Sequence, residues 1–275
     1  MALPSARTRD GQDGLDAILA DPGGALIASD FDGTLSPIVA DPADARACPG
    51  AADALSRLGA AVGTVAIITG RPAADAVRLG GFAGVAGLIV LGHYGAERWQ
   101  AGQVTASAVP AGVDQARRLL PGVLEAAGAP AGTRIEDKRT ALAVHTRGTA
   151  DPAGALAALR DPLFGLSERV GLALEPGRFV LELRPAAIDK GAALRDLAAE
   201  RESRCVLFCG DDLGDLSAFA EIGAQRAAGT LRGCTVASAS PEVPEVARAA
   251  DLVVDGPAGV VGLLAALADR LKAAR

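Results

Sequence analysis

Aromatic side chains are scarce in this chain: six Phe, one Tyr and one Trp make up 3 % of its 275 residues. A core has to be packed from Leu, Val, Ile and Ala, and with 50 % apolar residues there is ample material for one. Positive charge is also short. Lys and Arg number 27 against 33 Asp and Glu, a net charge of −6. No basic run occurs, which argues against nucleic acid as a partner. No apolar run approaches the roughly 20 residues of a membrane-spanning helix, so no membrane partner is expected. The opening MALPSARTRDGQDG lacks the hydrophobic stretch of a secretory signal. Cys48, Cys205, Cys209 and Cys234 show no metal-ligand spacing, and Cys205 and Cys209 flank an apolar VLF run in which Cys acts as a small hydrophobe. All four are expected as reduced thiols of a cytoplasmic protein.

What the chain does have is ALIASDFDGTLSP, residues 25–37. Ala25 to Ser29 is a small and apolar run of strand length, the pattern of a buried parallel strand. It runs straight into Asp30-Phe31-Asp32-Gly33-Thr34. Side chains alternate along an extended chain, so Asp30 and Asp32 are expected to point the same way at the strand's carboxyl end, where open α/β sheets bind their ligands. Two carboxylates that close repel each other unless a cation lies between them or one keeps its proton. Gly33 lets the backbone turn away, and Thr34 offers a hydroxyl and an amide to an anion.

Along the rest of the chain, residues 1 to about 12 read as disordered, and Leu15, Ile18 and Leu19 mark a short helix. A helix over 50–61, a strand over 62–68 ending in Thr69-Gly70-Arg71-Pro72, and a strand over 88–91 ahead of Gly92-His93-Tyr94-Gly95 follow. From about Pro110 the order changes. Helix 113–127 and strands 133–138 and 140–147 are followed by helix 152–170 and strands 172–175 and 178–184. That order makes a small antiparallel sheet with both helices on one face. The α/β rhythm then returns with helix 189–201, strand 205–209, a helix after Asp215 running through Ile222, strand 235–237, helix 242–249, strand 252–254 and helix 259–274. The expected fold is therefore α/β: a Rossmann-like parallel-sheet core over 1–108 and 186–275, with an inserted α+β cap over 109–185.

Four polar clusters fall where strands end or helices begin: Asp30 with Asp32, Thr69 with Arg71, Lys190, and Asp211, Asp212 and Asp215. Parallel strands would bring all four to one rim of the sheet. Carboxylates gathered there repel without a divalent cation, and ligation by carboxylates without His or Cys clusters points to Mg²⁺. Donors, one Lys and a metal together suit a phosphoryl group. Each cluster alone has a plainer reading. Thr69 would cap a helix, Lys190 would be a solvated charge, and the Asp run would cap and complement a helix start.

In their order, D-x-D-G-T, T-G-R, a Lys opening a helix and G-D-D-x-x-D resemble the haloacid-dehalogenase-like phosphatases. That resemblance implies Asp30 as the nucleophile that becomes an aspartyl-phosphate. Asp32 is then general acid and later base, and Thr69 and Lys190 hold the phosphoryl group. Asp30, Asp32 (through its carbonyl), Asp211, Asp212 and Asp215 become the magnesium set. Thr34, Gly70, Arg71, His93 and Tyr94 are expected to face the substrate.

In the insert, alternation leaves Glu136, Lys138, His145, Arg147 and Glu182 on the open face of the sheet, where carboxylates and cations suit a hydroxyl-rich ligand. The segments DFDGTLSPIV, DPADA, TGR, GHYGAE, IEDK, HTR, GRFVLELRP, DKG and GDDLGD are similar to the trehalose-6-phosphate phosphatases. Gly214 departs from that family's usual Thr. The resemblance implies hydrolysis of trehalose 6-phosphate in trehalose biosynthesis, with the sugar read by those five cap residues. It also implies a cap hinged near 109–110 and 184–185 that closes to exclude water. The expected partner is a small sugar phosphate, with a monomer as the default assembly. The alternatives are a phosphatase for sucrose 6-phosphate or another phosphorylated sugar, and a non-catalytic sugar-phosphate sensor.

Overall fold

The computed structural model describes residues 3–186, 188–240 and 243–273. Residues 1 and 2 of the expected disordered segment, and Glu242 and Ala274 of two expected helices, lie outside the described residues. In chain order the elements are α1 (Arg9–Ala20), β1 (Ala25–Ser29), α2 (Ala51–Gly59), β2 (Thr64–Ile68), α3 (Ala73–Gly80), β3 (Ile89–Gly92), β4 (Glu97–Gln100) and β5 (Gln103–Ala106). Next come α4 (Ala111–Ala126), β6 (Arg134–Asp137), β7 (Leu142–His145), α5 (Pro152–Val170), β8 (Ala173–Gly177) and β9 (Val180–Arg184). The chain closes with α6 (Lys190–Glu200), β10 (Cys205–Gly210), α7 (Leu216–Ala227), β11 (Arg232–Ser238), α8 (Pro244–Ala249), β12 (Leu252–Val254) and α9 (Gly256–Ala273). It divides into two compact units, Met1–Ala106 with Asp189–Arg275, and Ser107–Ile188.

The first unit holds an eight-stranded sheet in the order β12-β11-β10-β1-β2-β3-β4-β5. The strands from β12 to β3 are parallel, and β4 and β5 add an antiparallel edge. Strand residues alternate between two apolar layers. Ile27, Val65 and Leu207 pack with Leu15, Leu55 and Leu264, while Leu26, Ala66 and Phe208 pack with Leu194, Phe219 and Val246. Burial on both faces is why these strands read as unbroken apolar runs. The chain proceeds outward from β1 in one direction through β2 and β3, and from β10 in the other through β11 and β12. The pair β1 and β10 is therefore the switch point of a doubly wound sheet.

Two expectations are corrected. Residues 9–12, expected disordered, begin α1, whose start is capped by Thr8 Oγ1 accepting from Gly11 N at 3.1 Å. The stretch after residue 96, to which the sequence pattern assigns no element, forms the β4–β5 hairpin. It carries charged and polar residues because it lies at an edge, and Trp99 is its one buried side chain.

What secures α1 is Asp251, far away in sequence. Its carboxylate accepts from Thr8 Oγ1 (2.5 Å), Arg226 Nη1 (2.8 Å), and Thr235 N and Oγ1 (2.9 Å each). Burial opposes its ionisation, yet the hydrogen bonds from Thr8, Thr235 and Arg226 hold its carboxyl below the usual range. Asp251→Ala is expected to lower unfolding free energy by about 3 kcal/mol at neutral pH, because it leaves the Arg226 charge without its carboxylate and the buried Thr235 N–H without an acceptor. A depressed folded-state value makes this contribution complete above the ordinary Asp value of about 4 and lost as pH falls through the folded value. Urea unfolding should therefore show the gap between parent and variant closing in acid. A gap that persists unchanged to pH 3 would refute this role.

The second unit is an antiparallel sheet in the order β6-β7-β9-β8. Leu142, Val144, Leu181 and Leu183 face α4 and α5, meeting Val113, Leu120, Leu159 and Leu163. The register sets Glu136 opposite Ala143, Ala143 opposite Glu182, and Glu182 opposite Glu175. The face away from the helices thus carries Arg134, Glu136, His145, Glu182 and Arg184.

Candidate active site

The site of the first unit forms at the switch point. β1 ends at Ser29 beside Cys209 of β10, and Asp30 N donates to Cys209 O at 2.8 Å. Asp30 and Asp211 therefore emerge from adjacent strand ends. The chain after Asp30 folds back on itself: Leu35 N and Ser36 N donate to Phe31 O, and Gly33 N donates to Ser36 O at 2.7 Å. Gly33 has φ +72°, and a Cβ there would lie 1.9 Å from Asp211 Oδ2, so only glycine admits the Asp211 carboxylate. Ser238, at the end of β11, donates through Oγ to Gly33 O at 2.7 Å.

Around that turn, Asp30, Asp211 and Asp215 bring one carboxylate oxygen each to within 4.8 Å of one another. All three are buried, as is Lys190, which is only 3 % exposed. Lys190 opens α6, where Asp189 caps the helix by accepting from Ala192 N, and its Nζ reaches Asp215 Oδ1 at 2.7 Å and Asp30 Oδ2 at 3.0 Å. Asp212 Oδ1 lies farther from Nζ, at 3.7 Å. Thr34 Oγ1 donates to Asp211 Oδ1 at 2.8 Å. Asp215 Oδ2 accepts the backbone N–H of Asp211 (2.9 Å) and of Asp212 (3.1 Å). Asp212 accepts from Asp215 N in return, closing a capping box at the helical turn. The cap is complete despite Gly214.

The electrostatics follow from burial. Desolvation pushes the Asp30 carboxyl well above the usual range, and the charges of Asp215, Asp212 and Asp211 add to it against the pull of Lys190. Burial, then the charge of Asp215, raises Asp211 to about 7. Burial raises Asp215 to about 6 against the attraction of Lys190. Burial works against the charge of Lys190, but the carboxylates of Asp215 and Asp30 outweigh it and hold the ammonium protonated. Three buried acids with one cation are short of positive charge, and their donor atoms are all carboxylate oxygens. Such a set fits a hard divalent cation.

The other expected residues fall in several places. Asp32 does not join the acidic group through its carboxylate. Arg71 holds it with a two-pronged ion pair, Nε to Oδ2 and Nη2 to Oδ1 at 2.6 Å each, while Nη1 donates to Pro42 O at 2.7 Å. The same guanidinium lies over the Phe31 ring, 5.7 Å from its centroid. Arg71, expected to face substrate, here binds the second motif aspartate. Thr69 is buried, and its Oγ1 accepts from Arg71 N at 3.2 Å. Tyr94 lies against Gly70, where a Cβ would stand 2.8 Å from the phenol oxygen. His93 is buried with Nδ1 at 3.6 Å from Glu97 Oε1. Ser238 carries no motif signal, and Glu97, the last residue of the GHYGAE segment, is given no role by it. Glu97 also accepts from Ala73 N at the start of α3, at 3.1 Å, a contact visible only once the edge hairpin is built.

In the second unit, Glu136 Oε2 meets His145 Nε2 at 2.7 Å and Lys138 Nζ pairs with Glu182 Oε2. Glu182 is buried, and its Oε1 has no hydrogen-bond partner among the described residues. Arg147, just past β7, is exposed. Four of the five residues expected on this face thus form two cross-strand pairs.

A family model described as trehalose-phosphatase matches residues 28–257. The trehalose-phosphate phosphatase of Mycobacterium marinum is 34 % identical over 255 residues, covering 88 % of this chain and 61 % of that protein. An uncharacterized glycosyl hydrolase of Mycobacterium tuberculosis H37Rv is 39 % identical over 206 residues, 69 % of this chain but 15 % of that protein. The chain thus spans only part of the curated relatives it matches. Among solved structures, a trehalose-6-phosphate phosphatase of Aspergillus fumigatus superposes with TM-score 0.71 at 24 % identity, covering 97 % of this chain and 99 % of the other. A haloacid dehalogenase-like hydrolase from Bacteroides thetaiotaomicron gives TM-score 0.62 at 17 % identity, covering 87 % and 98 %. These likenesses show the fold, and no described helix is long and apolar enough to cross a membrane. With a haloacid-dehalogenase-like sheet, an acidic group at its switch point and a family match over most of its length, the chain belongs to the trehalose-phosphatase family.

Proposed function

We propose that this protein is a phosphoric monoester hydrolase that cleaves trehalose 6-phosphate to trehalose and phosphate in trehalose biosynthesis, in the cytoplasm. The observation that carries the reading is the buried meeting of Asp30, Asp211 and Asp215 with Lys190 at the sheet's switch point.

In the first step a carboxylate oxygen of Asp30 attacks phosphorus, and the bond from phosphorus to the sugar oxygen breaks. Asp32, once it has left its ion pair with Arg71 and taken up a proton, gives that proton to the leaving oxygen. In the second step Asp32 takes a proton from water, whose oxygen attacks phosphorus and returns Asp30 as a free carboxylate. Arg71 stabilises the charged form that Asp32 adopts between the steps. Lys190 and Thr69 hold the phosphoryl oxygens, and Lys190 balances the charge of Asp30 before attack. Asp30, Asp211 and Asp215, with the Asp32 carbonyl and Asp212 near by in sequence, are the residues that would hold Mg²⁺. When bound, this ion neutralises the acids and draws charge from phosphoryl oxygens.

Glu136, Lys138, His145, Arg147 and Glu182 select the sugar. A hydroxyl of the sugar is the kind of donor that the unpartnered Glu182 Oε1 lacks. Phosphate release is expected from trehalose 6-phosphate well above that from sucrose 6-phosphate or glucose 6-phosphate, and to stop with a chelator. Glu182→Ala is expected to lower kcat/KM for trehalose 6-phosphate by about 10²-fold, since a buried charged hydrogen bond is lost, and to spare p-nitrophenyl phosphate. Equal rates on all three sugars would sink the substrate assignment. Binding without turnover at any metal concentration would favour a sensor.

A further inference from the structure

Lys138 stands in the turn between β6 and β7, one residue past the end of β6. The turn is tight: Lys138 N donates to Ala141 O at 3.0 Å, and Lys138 O accepts from Thr140 N at 2.8 Å. Arg139 takes φ +70°, a left-handed conformation uncommon for a side-chain-bearing residue. Arg117, on α4, reaches into this turn. Its Nε donates to Asp137 Oδ2 at 2.5 Å, and its Nη2 donates to both Asp137 Oδ1 and Arg139 O at 3.0 Å. Asp137 Oδ1 also accepts from Arg139 N at 2.8 Å, and Asp114, one turn before Arg117 on α4, pairs with the guanidinium from the other side. The residues immediately before and after Lys138 are thus gripped by one side chain, while Lys138 itself reaches across the sheet to Glu182.

We infer that Arg117 is a positioning residue, which clamps the turn through Asp137 and the Arg139 carbonyl so that Lys138 is held toward Glu182 for substrate recognition. The inference rests on the proposed reading that Lys138 and Glu182 meet the sugar. A guanidinium suits this task because its rigid planar fork meets a carboxylate and a carbonyl in one fixed geometry, whereas an ammonium is a rotatable point charge on a flexible stem. The interaction lies at the rim of the unit, with Arg117 34 % and Asp137 45 % exposed, so its weight for folding is small and its consequence is geometric. A recognition group displaced by about 1 Å loses up to about 10²-fold in rate or affinity.

The test compares Arg117→Ala, Arg117→Lys, Asp137→Asn and Lys138→Ala on trehalose 6-phosphate and on p-nitrophenyl phosphate, with thermal unfolding of each. Arg117→Ala and Asp137→Asn are expected to raise KM for trehalose 6-phosphate about tenfold with kcat nearly kept, and to leave p-nitrophenyl phosphate unaffected. Arg117→Lys should recover little, since it cannot form the fork. A fall in both substrates that tracks loss of thermal stability would make Arg117 merely structural and overturn the inference. So would an unchanged KM for both clamp variants while Lys138→Ala impairs trehalose 6-phosphate. If Lys138→Ala is itself without effect on that substrate, the reading of the polar face fails and the inference falls with it.

Discussion

Asp30→Asn should abolish turnover, by at least about 10⁴-fold, and leave the fold intact. Asparagine keeps the shape of the side chain but cannot attack phosphorus as an anion. The fold survives because Lys190, the buried cation facing Asp30 at 3.0 Å, still has Asp215 at 2.7 Å. The substitution also removes one charge from a self-repelling group in which burial already pushes Asp30 and Asp211 upward. Unfolding should therefore occur at or slightly above the parent temperature in the absence of metal. Chelator-sensitive phosphate release by the purified variant at more than about a hundredth of the parent rate would end the assignment of Asp30 as nucleophile.

Lys190→Met tests the other half of the cluster, and here both activity and stability should fall. Methionine fills most of the lysine's volume but leaves Asp30 and Asp215 without their shared cation. Stripping one partner from a buried ionic group costs about 3–5 kcal/mol. Turnover should drop by about 10²–10³-fold, the range found for removing one charge-stabilising donor. The pH dependence follows from the sign of the shifts. Burial already raises Asp211 to about 7 and Asp215 to about 6 in the parent, and loss of the ammonium raises them further. An acid whose folded value exceeds its unfolded value near 4 destabilises the fold increasingly as pH rises through that interval. Metal-free Lys190→Met should thus approach parent stability near pH 5 and fall farthest below it at pH 8. Parent-like stability across this range would show that the acids need no internal cation.

Much of this organisation is legible in the sequence because it is local. β1, α5 and β12 begin and end where their apolar periodicity and flanking turns place them, at Ala25–Ser29, Pro152–Val170 and Leu252–Val254. Alternation in the second sheet is equally local, since a period of two leaves no choice about which face carries Leu142 and Val144 once two helices need an apolar partner. The edge hairpin β4–β5 escapes this reading because edge strands hide their pattern behind polar residues.

Apart from the edge hairpin, the sequence by itself determined the kinds of elements, the parallel core with its inserted antiparallel sheet, and the places where acids and lysine interrupt apolar runs. Only the tertiary structure decided which of those groups meet. Lys190 could have been a solvated charge, yet it is buried between Asp30 and Asp215. Arg71 holds Asp32, and Thr8 is tied to Asp251 across 243 positions. Periodicity is a property of neighbouring residues, set by backbone geometry. The partner of a buried charge is instead set by strand order and register, through which residues distant in the chain arrive at one strand end.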